Sequence, residues 1–324
     1  MKKFVHIDAT TVEDAVQALG RYGGEASPMA GGTDLLGKMK DVILPDYPEA
    51  IVNLKTINGL DFIEERDSFL RIGALTRLKD IAVHPAVRSG YLALADAAGR
   101  TASPNLREMA TIGGNICQDI RCWYYRHPNN RFPCLRKGGG RCYAINGDNR
   151  YHSIFGGSVE QGCYAVHPSD TAPALIAMDA RIKTSKRDIE AEDFFDVRVC
   201  GTTVLDSDEI VTEIYIPKPA SGAKSAFLKF ALRKTIDFPI VNCVAMIEGK
   251  GADVVSARIC LNAVHVKPYR AVGAEDALLG RELSEATAKS AGIAAVADAQ
   301  PMTDNEYMIQ IAKTLVKTTV LACK

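Results

Sequence analysis

Five of the nine cysteines, Cys117, Cys122, Cys134, Cys142 and Cys163, crowd into one stretch of the 324-residue chain. Thiolates are the side chains with which proteins hold zinc and iron–sulfur centres. Cys200, Cys243, Cys260 and Cys323 are scattered. Three of these sit in apolar runs such as Val-Asn-Cys-Val-Ala-Met-Ile, where a free cysteine packs as a small hydrophobe. Residues 118–166 lose regular periodicity for nearly fifty positions and contain few aliphatic side chains. An irregular segment longer than about 12–15 residues needs something to tie it down, and four thiolates around a metal centre would do so. The same stretch carries seven arginines or lysines against three acids, which suits the net negative charge of a thiolate-ligated [4Fe–4S] cluster. Gly138-Gly139-Gly140 beside Cys142 would let backbone approach the cluster sulfurs. Two other readings stay open. Zinc sites favour close C-x₂₋₄-C pairs, whereas only Cys117-x₄-Cys122 approaches that here. Alternatively these are unpaired loop cysteines, with His127, His152 and His167 filling surface positions.

Two glycine-rich turns form the second chemical feature. Ser27-Pro28-Met29-Ala30-Gly31-Gly32-Thr33-Asp34-Leu35 runs out of a short strand into adjacent glycines. Successive N–H groups can converge there on an anion, with Thr33 adding a hydroxyl. Neither the Walker A pattern nor G-x-G-x-x-G is present. Thr111-Ile112-Gly113-Gly114-Asn115-Ile116 repeats the theme about eighty residues later. Each Gly-Gly pair alone reads equally well as a tight turn. Two such loops, each after an apolar segment, point to one extended ligand with several phosphates and rings. Asp170 is a further candidate, with helix capping as its plainer role. Lys229 reads from its surroundings as a solvated strand lysine.

The elements around these features are legible. Residues 2–7 alternate like a strand. Thr11 caps a helix with apolar Val12, Ala15, Val16 and Leu19, stopped at Gly23-Gly24. Strands are expected near Ser27–Met29, Ile51–Leu54, Phe62–Glu64 and Phe69–Ile72. Thr76 is expected to cap a helix through Ile81, and another covers Tyr91–Ala98. Ser169-Asp170 start a helix through Met178, followed by strands at Arg181–Thr184 and Glu209–Ile216. After a linker at Pro217–Gly222 come strands at Ala226–Leu232, Val241–Glu248 and Val254–Val264. Helices at Leu283–Ala297 and Asp304–Leu321 close the chain. Strands followed by helices indicate a separate α+β domain.

Apolar content of 47%, charged content of 24% and zero formal net charge describe an ordinary globular chain. That charge balance gives no reason to expect a nucleic-acid partner. No window reaches the length of a membrane span, and the N-terminus lacks an apolar signal region. A cytoplasmic location is expected, unless a partner subunit carries the chain outward.

The Ala-Gly-Gly-Thr-Asp-Leu loop, the Thr-Ile-Gly-Gly-Asn-Ile loop, the Ser169-Asp170 helix start and the C-terminal α+β domain resemble the FAD subunits of the xanthine oxidase, or molybdenum hydroxylase, family. The resemblance covers nearly the whole chain. Arg121-Cys122-Trp123-Tyr124-Tyr125, Cys134, Cys142, Asn149-Arg150-Tyr151-His152 and Cys163 through Asp170 look like the cluster-bearing members. Those are the flavin subunits of 4-hydroxybenzoyl-CoA reductase and of the bacterial aldehyde oxidoreductase, the latter being the nearer likeness.

The resemblance implies an α+β fold. A two-subdomain FAD-binding domain of the vanillyl-alcohol-oxidase-like (PCMH) type would span 1–217, with the insertion at 118–166. A C-terminal α+β domain would span 222–324. By the same likeness residues 27–35 cradle the FAD pyrophosphate, while Thr111, Gly113, Gly114, Asn115 and Gln118 line the flavin. Asp170 would bind the adenosine part, and Lys229 matches a lysine near the isoalloxazine. Cys122, Cys134, Cys142 and Cys163 would ligate [4Fe–4S], with Cys117 outside the pattern. The [2Fe–2S] motifs and molybdopterin region are missing from this chain. They would lie on a small and a large partner subunit, in a heterotrimer or its dimer, with an external electron carrier.

The resulting expectation is a redox subunit with no general base of its own. A stand-alone flavin dehydrogenase would need a catalytic acid or base facing the flavin, and none stands out. A zinc-stabilised binding module would leave both glycine loops unexplained.

Overall fold

The computed structural model describes residues 1–157, 162–198, 201–251 and 253–324. Cys200 and residues 158–161 of the insertion therefore lie outside the described residues.

The chain opens with a small α/β unit. Strands β1 (Val5–Asp8), β2 (Ala26–Met29) and β3 (Ala50–Asn53) form a parallel sheet in the order β1-β3-β2. The helix Val12–Arg21 between β1 and β2 starts where Thr11 accepts a hydrogen bond from the Asp14 N–H (3.0 Å). Its Ala15, Ala18 and Leu19 pack on Ala50 and Val52. The parallel order sends β2 out of the sheet straight into the first glycine loop.

A second sheet is antiparallel. It contains β4 (Ile63–Glu65), β5 (Phe69–Gly73), β6 (Arg181–Thr184), β7 (Asp188–Glu190) and β10 (Val211–Pro217), ordered β4-β5-β10-β6-β7. A short ribbon, β8 (Phe195–Arg198) with β9 (Gly201–Thr203), lies between β7 and β10 in the chain. One face of this sheet packs on the helices Leu78–Val83, Leu92–Arg100 and Ala172–Ala177 through Leu70, Ile72, Ile182, Ile214 and Ile216.

The C-terminal part is a four-stranded antiparallel sheet, β11 (Lys224–Phe230), β12 (Val241–Lys250), β13 (Asp253–Asn262) and β14 (Tyr269–Arg270). Its alternating side chains face two cores. Phe227, Val244 and Cys260 join the core of the second sheet, while Cys243, Ala245, Ile259 and Leu261 pack on the helices Glu285–Ala294 and Tyr307–Leu321. Cys243, Cys260 and Cys323 are buried, as their apolar contexts predict.

The expected elements are present with shifted ends, two local expectations fail, and some short elements were missed. Thr76 does not cap the helix Leu78–Val83, because its hydroxyl donates to the Phe62 carbonyl (2.9 Å). The second glycine turn is a short helix, Ile112–Ile116. Short elements such as Pro85–Gly90, β7 and Val272–Asp276 were not legible, since each is too short to show a period.

Residues 118–166 contain no strand among those described, only 3₁₀ turns at Pro128–Asn130 and Leu135–Lys137. The neck of the insertion is closed by a reciprocal backbone pair, Arg121 N–H to Val166 O (2.9 Å) and Val166 N–H to Arg121 O (3.1 Å). Ile120, Tyr125, Cys134, Cys163 and Ala165 form a small core with Ile43 and Val266.

Candidate functional site

The two glycine loops meet but are built differently. A Cβ on Gly31 would run into the Met109 carbonyl oxygen just before the second loop, so only glycine allows this approach. Gly32 adopts φ +71°, which glycine accepts without strain. Among the described residues, none accepts a hydrogen bond from the N–H groups of Gly31, Gly32, Thr33 or Asp34. That row of free amides at the end of a parallel strand suits an anion such as a pyrophosphate.

The second loop does not offer such a row. The Ile112 N–H donates to Thr76 O (3.0 Å), Gly113 N–H to Ala74 O (2.9 Å) and Gly114 N–H to the Thr111 hydroxyl (3.2 Å). The symmetrical picture of two amide grips is therefore corrected: the first loop can bind phosphate, and the second presents a capped helix beside it. Asn115 is buried, and its Oδ1 accepts from both Ser169 and Thr171 hydroxyls, each at 2.6 Å. Gln118 is also buried and donates to the Asn115 carbonyl (2.8 Å). Asn115 thus holds the Ser169–Thr171 segment against the second loop, and Gln118 braces the Asn115 backbone.

Asp170 and Lys229 form one buried pair. Lys229 Nζ lies 2.7 Å from Asp170 Oδ2 and 3.1 Å from the Arg100 carbonyl, while Asn242 donates to Asp170 Oδ1 (2.7 Å). Burial outweighs these partners and lifts the Asp170 carboxyl above its ordinary pKa. The plainer readings of both residues fail. Ser169, not Asp170, accepts from the Ala172 N–H at the helix start (3.0 Å), and Lys229 is not solvated. Their contact also conflicts with roles at opposite ends of an extended dinucleotide, since the ribityl–pyrophosphate chain separates those ends.

The Asp34 side chain points away from the anion loop. It pairs with Arg126 (2.8 Å) and Arg121 (3.0 Å) and accepts from the Asp119 N–H (3.0 Å). Asp119 in turn accepts from Lys38 (3.0 Å) and the Tyr125 hydroxyl (2.6 Å). Burial pushes both carboxyls up, but the facing cations win. Arg126, Arg121 and Lys38 hold Asp34 well below the usual range, and Lys38 and Arg126 hold Asp119 at about 2. This network clamps the first glycine loop to the root of the insertion. Arg121 and Arg126 are committed to it, so they do not serve as free counter-charge for thiolates. Asp119 and Lys38 carried no distinguishing signal in the sequence.

Cys122, Cys134, Cys142 and Cys163 line one small pocket together with Tyr124, Tyr125, Tyr143 and Arg136. All four are free thiols. Burial raises Cys122 to about 12 and Cys163 to about 11, and neighbouring sulfurs push in the same direction: Cys163 and Cys134 act on Cys122, and Cys142 and Cys134 on Cys163. Four such thiolates cannot gather without compensating positive charge, which a metal centre supplies. Among the described residues no three His, Cys, Asp or Glu stand close enough to hold a single metal ion. In a [4Fe–4S] cluster each cysteine sulfur binds its own iron, so the four cysteines of this pocket are the donor set such a cluster would use. Gly139 hydrogen-bonds back to the Cys134 carbonyl (3.0 Å), folding the glycine run around that cysteine. Cys117 is exposed and stands outside the pocket.

His152 and His167 are fully buried, not surface fillers. Burial draws their pKa values down to about 4 and about 3, so both are neutral at neutral pH. His152 lines a second, larger cavity of about 830 Å³ with Cys122, Trp123, Tyr151, Phe238 and Ile240. Arg121 stacks over Phe238 at 4.2 Å on its wall.

Comparison with known proteins agrees with this anatomy. Residues 2–219 match the FAD binding domain in molybdopterin dehydrogenase, and residues 226–323 match the CO dehydrogenase flavoprotein C-terminal domain. The aldehyde oxidoreductase FAD-binding subunit PaoB of Escherichia coli K12 is 34% identical, over 97% of this chain and 96% of its own. The carbon monoxide dehydrogenase medium chain of Hydrogenophaga pseudoflava is 28% identical over 97% and 95% of the two chains. The solved carbon monoxide dehydrogenase from that organism superposes with a TM-score of 0.79 at 27% identity, covering 99% of this chain and 97% of that one. No helix among the described residues is long and apolar enough to cross a membrane. A free-amide loop at a parallel strand end, a helix-capped partner loop and two matched domains over nearly the full length have one common explanation: the chain belongs to the FAD-binding subunits of the molybdenum hydroxylase family of oxidoreductases.

Proposed function

We propose that this chain is the FAD- and [4Fe–4S]-bearing electron-transfer subunit of an aldehyde-oxidising molybdenum hydroxylase. Bound FAD would supply the two-electron to one-electron exchange between the substrate-oxidising centre and single-electron carriers. The amides of residues 31–34 would hold its pyrophosphate. Thr111, Gly113, Gly114, Asn115 and Gln118 would shape the wall against which the flavin lies. Asp170 and Lys229 would sit together at the flavin end, where a buried ammonium can stabilise negative charge on the ring. Cys122, Cys134, Cys142 and Cys163 would each bind one iron, and a small [2Fe–2S] subunit and a large molybdopterin subunit would complete the enzyme. The cluster would pass electrons to an external carrier.

One observation carries the iron–sulfur part: four cysteines spread over forty-two positions of an insertion with no strand among its described residues line a single pocket. The aldehyde assignment rests on the 34% identity to the E. coli aldehyde oxidoreductase subunit; 4-hydroxybenzoyl-CoA reductase is the alternative substrate class. Purification of the native complex, with flavin, iron and acid-labile sulfide counted per chain, tests the proposal. One FAD and four irons beyond those of the [2Fe–2S] subunit are expected. Flavin without those irons removes the cluster, and zinc in their place supports a structural metal site.

A further inference from the structure

Among the described residues, His152 is the one histidine within hydrogen-bonding distance of a cysteine of the pocket. Its Nε2 lies 3.2 Å from Cys122 Sγ. A metal-bound thiolate sulfur can only accept, so this contact requires the proton on Nε2 and the neutral tautomer with a bare Nδ1. The structure suits that tautomer: among the described residues, buried Nδ1 has no hydrogen-bond partner.

The backbone that carries the ring is also held in place. The His152 N–H donates to the Asn149 carbonyl (3.1 Å), and Asn305 from the C-terminal domain donates to the carbonyls of His152 (2.9 Å) and Ser153 (3.0 Å). Asn149 Oδ1 accepts from the Asp304 N–H (2.8 Å), so the start of the last helix region braces both ends of the turn. Three hydrogen bonds thus fix the backbone of His152 and Ser153, from which the imidazole projects. Cys122 and His152 both line the larger aromatic cavity as well, which puts their contact on the wall between that cavity and the cysteine pocket.

Building on the cluster reading above, we propose that His152 is a positioning residue that donates its Nε2 proton to Cys122 Sγ and thereby raises the reduction potential of the [4Fe–4S] centre. An N–H···S bond withdraws electron density from the ligand sulfur. It favours the more negative reduced cluster, which gains one electron with no bond made or broken.

The test is an anaerobic redox titration of the assembled complex, read by EPR of the reduced cluster. His152→Leu should lower the midpoint potential of this cluster while leaving those of FAD and the [2Fe–2S] centres in place. His152→Gln, which keeps an N–H donor, should restore part of the shift. A second measurement needs no variant: wild-type complex labelled with ¹⁵N-histidine should show a histidine nitrogen coupling to the reduced cluster, together with an exchangeable proton lost in D₂O. An unchanged potential in His152→Leu with full iron content overturns the inference, as does the absence of that nitrogen coupling in wild type. Either result leaves the cluster itself standing. A wild-type complex without the extra four irons overturns the cluster and the inference together.

Discussion

At the scale of single residues, identity and role separate according to what each side chain can reach. Asp34 belongs to the first glycine loop by sequence and to the insertion by contact, because its carboxylate finds its cations in Arg121 and Arg126. Cys134 is different, since it lines the pocket with the other three cysteines and, among the described residues, makes no hydrogen bond to either glycine loop. Cys134→Ser is therefore expected to lower iron per chain sharply while FAD per chain stays near wild type, as measured by metal analysis and flavin absorbance on the same sample. Unchanged iron counts against the ligand assignment.

At the scale of elements, the first glycine loop depends on close approach as well as on free amides. Gly31→Ala sets a methyl group against the Met109 carbonyl, and backbone at that position cannot swing aside as a flexible side chain would. Overpacking of this kind costs about 1–3 kcal/mol. Displacing the amides should weaken FAD binding roughly tenfold or more by the same energy scale. Fluorescence titration of the apoprotein with FAD checks this; an unchanged Kd means the loop is not where the phosphates sit. The second loop makes the opposite case, because its amides are already bonded and its contribution is the buried Asn115 bridge to Ser169 and Thr171.

At the scale of the whole molecule, two buried charge clusters tie separate parts of the chain together. Lys229 on β11 reaches Asp170 ahead of the helix Ala172–Ala177, joining the C-terminal sheet to the FAD-binding domain. Lys229→Ala leaves a buried carboxylate without its cation and is expected to destabilise the fold by about 3–5 kcal/mol. Urea unfolding measures this, and a change below 1 kcal/mol would show that the carboxyl simply takes up a proton. The Asp34–Asp119 network gives the acid response. A carboxyl whose folded pKa is depressed contributes stability that is complete above its unfolded value and is lost as pH falls through the folded one. With Asp119 at about 2 when folded, against an ordinary value near 3.9, its contribution should persist to about pH 4 and vanish towards pH 2. Unfolding midpoints across that window should fall in the wild type and stay flatter in Asp119→Asn.

Much of this protein can be read from residue order alone. The Thr11-capped helix, the strand feeding Gly31-Gly32, the long strands Val241–Lys250 and Asp253–Asn262 and the closing helix Tyr307–Leu321 all follow from local periodicity and capping, which act over a few neighbours. The loss of periodicity across the cysteine-rich stretch, whose described residues form only two 3₁₀ turns, was equally legible, and so were the four cysteines that share a pocket. What only the tertiary structure decided were the pairings across long separations: Lys229 with Asp170, Asp34 with Arg121 and Arg126, and His152 with Cys122. The same holds for the fate of the second loop's amides, which are taken by carbonyls at Ala74 and Thr76 some forty residues earlier. A charge or a hydrogen bond has no period along the chain. Its partner is set by which surfaces the hydrophobic core brings face to face, and that is fixed only when the elements pack.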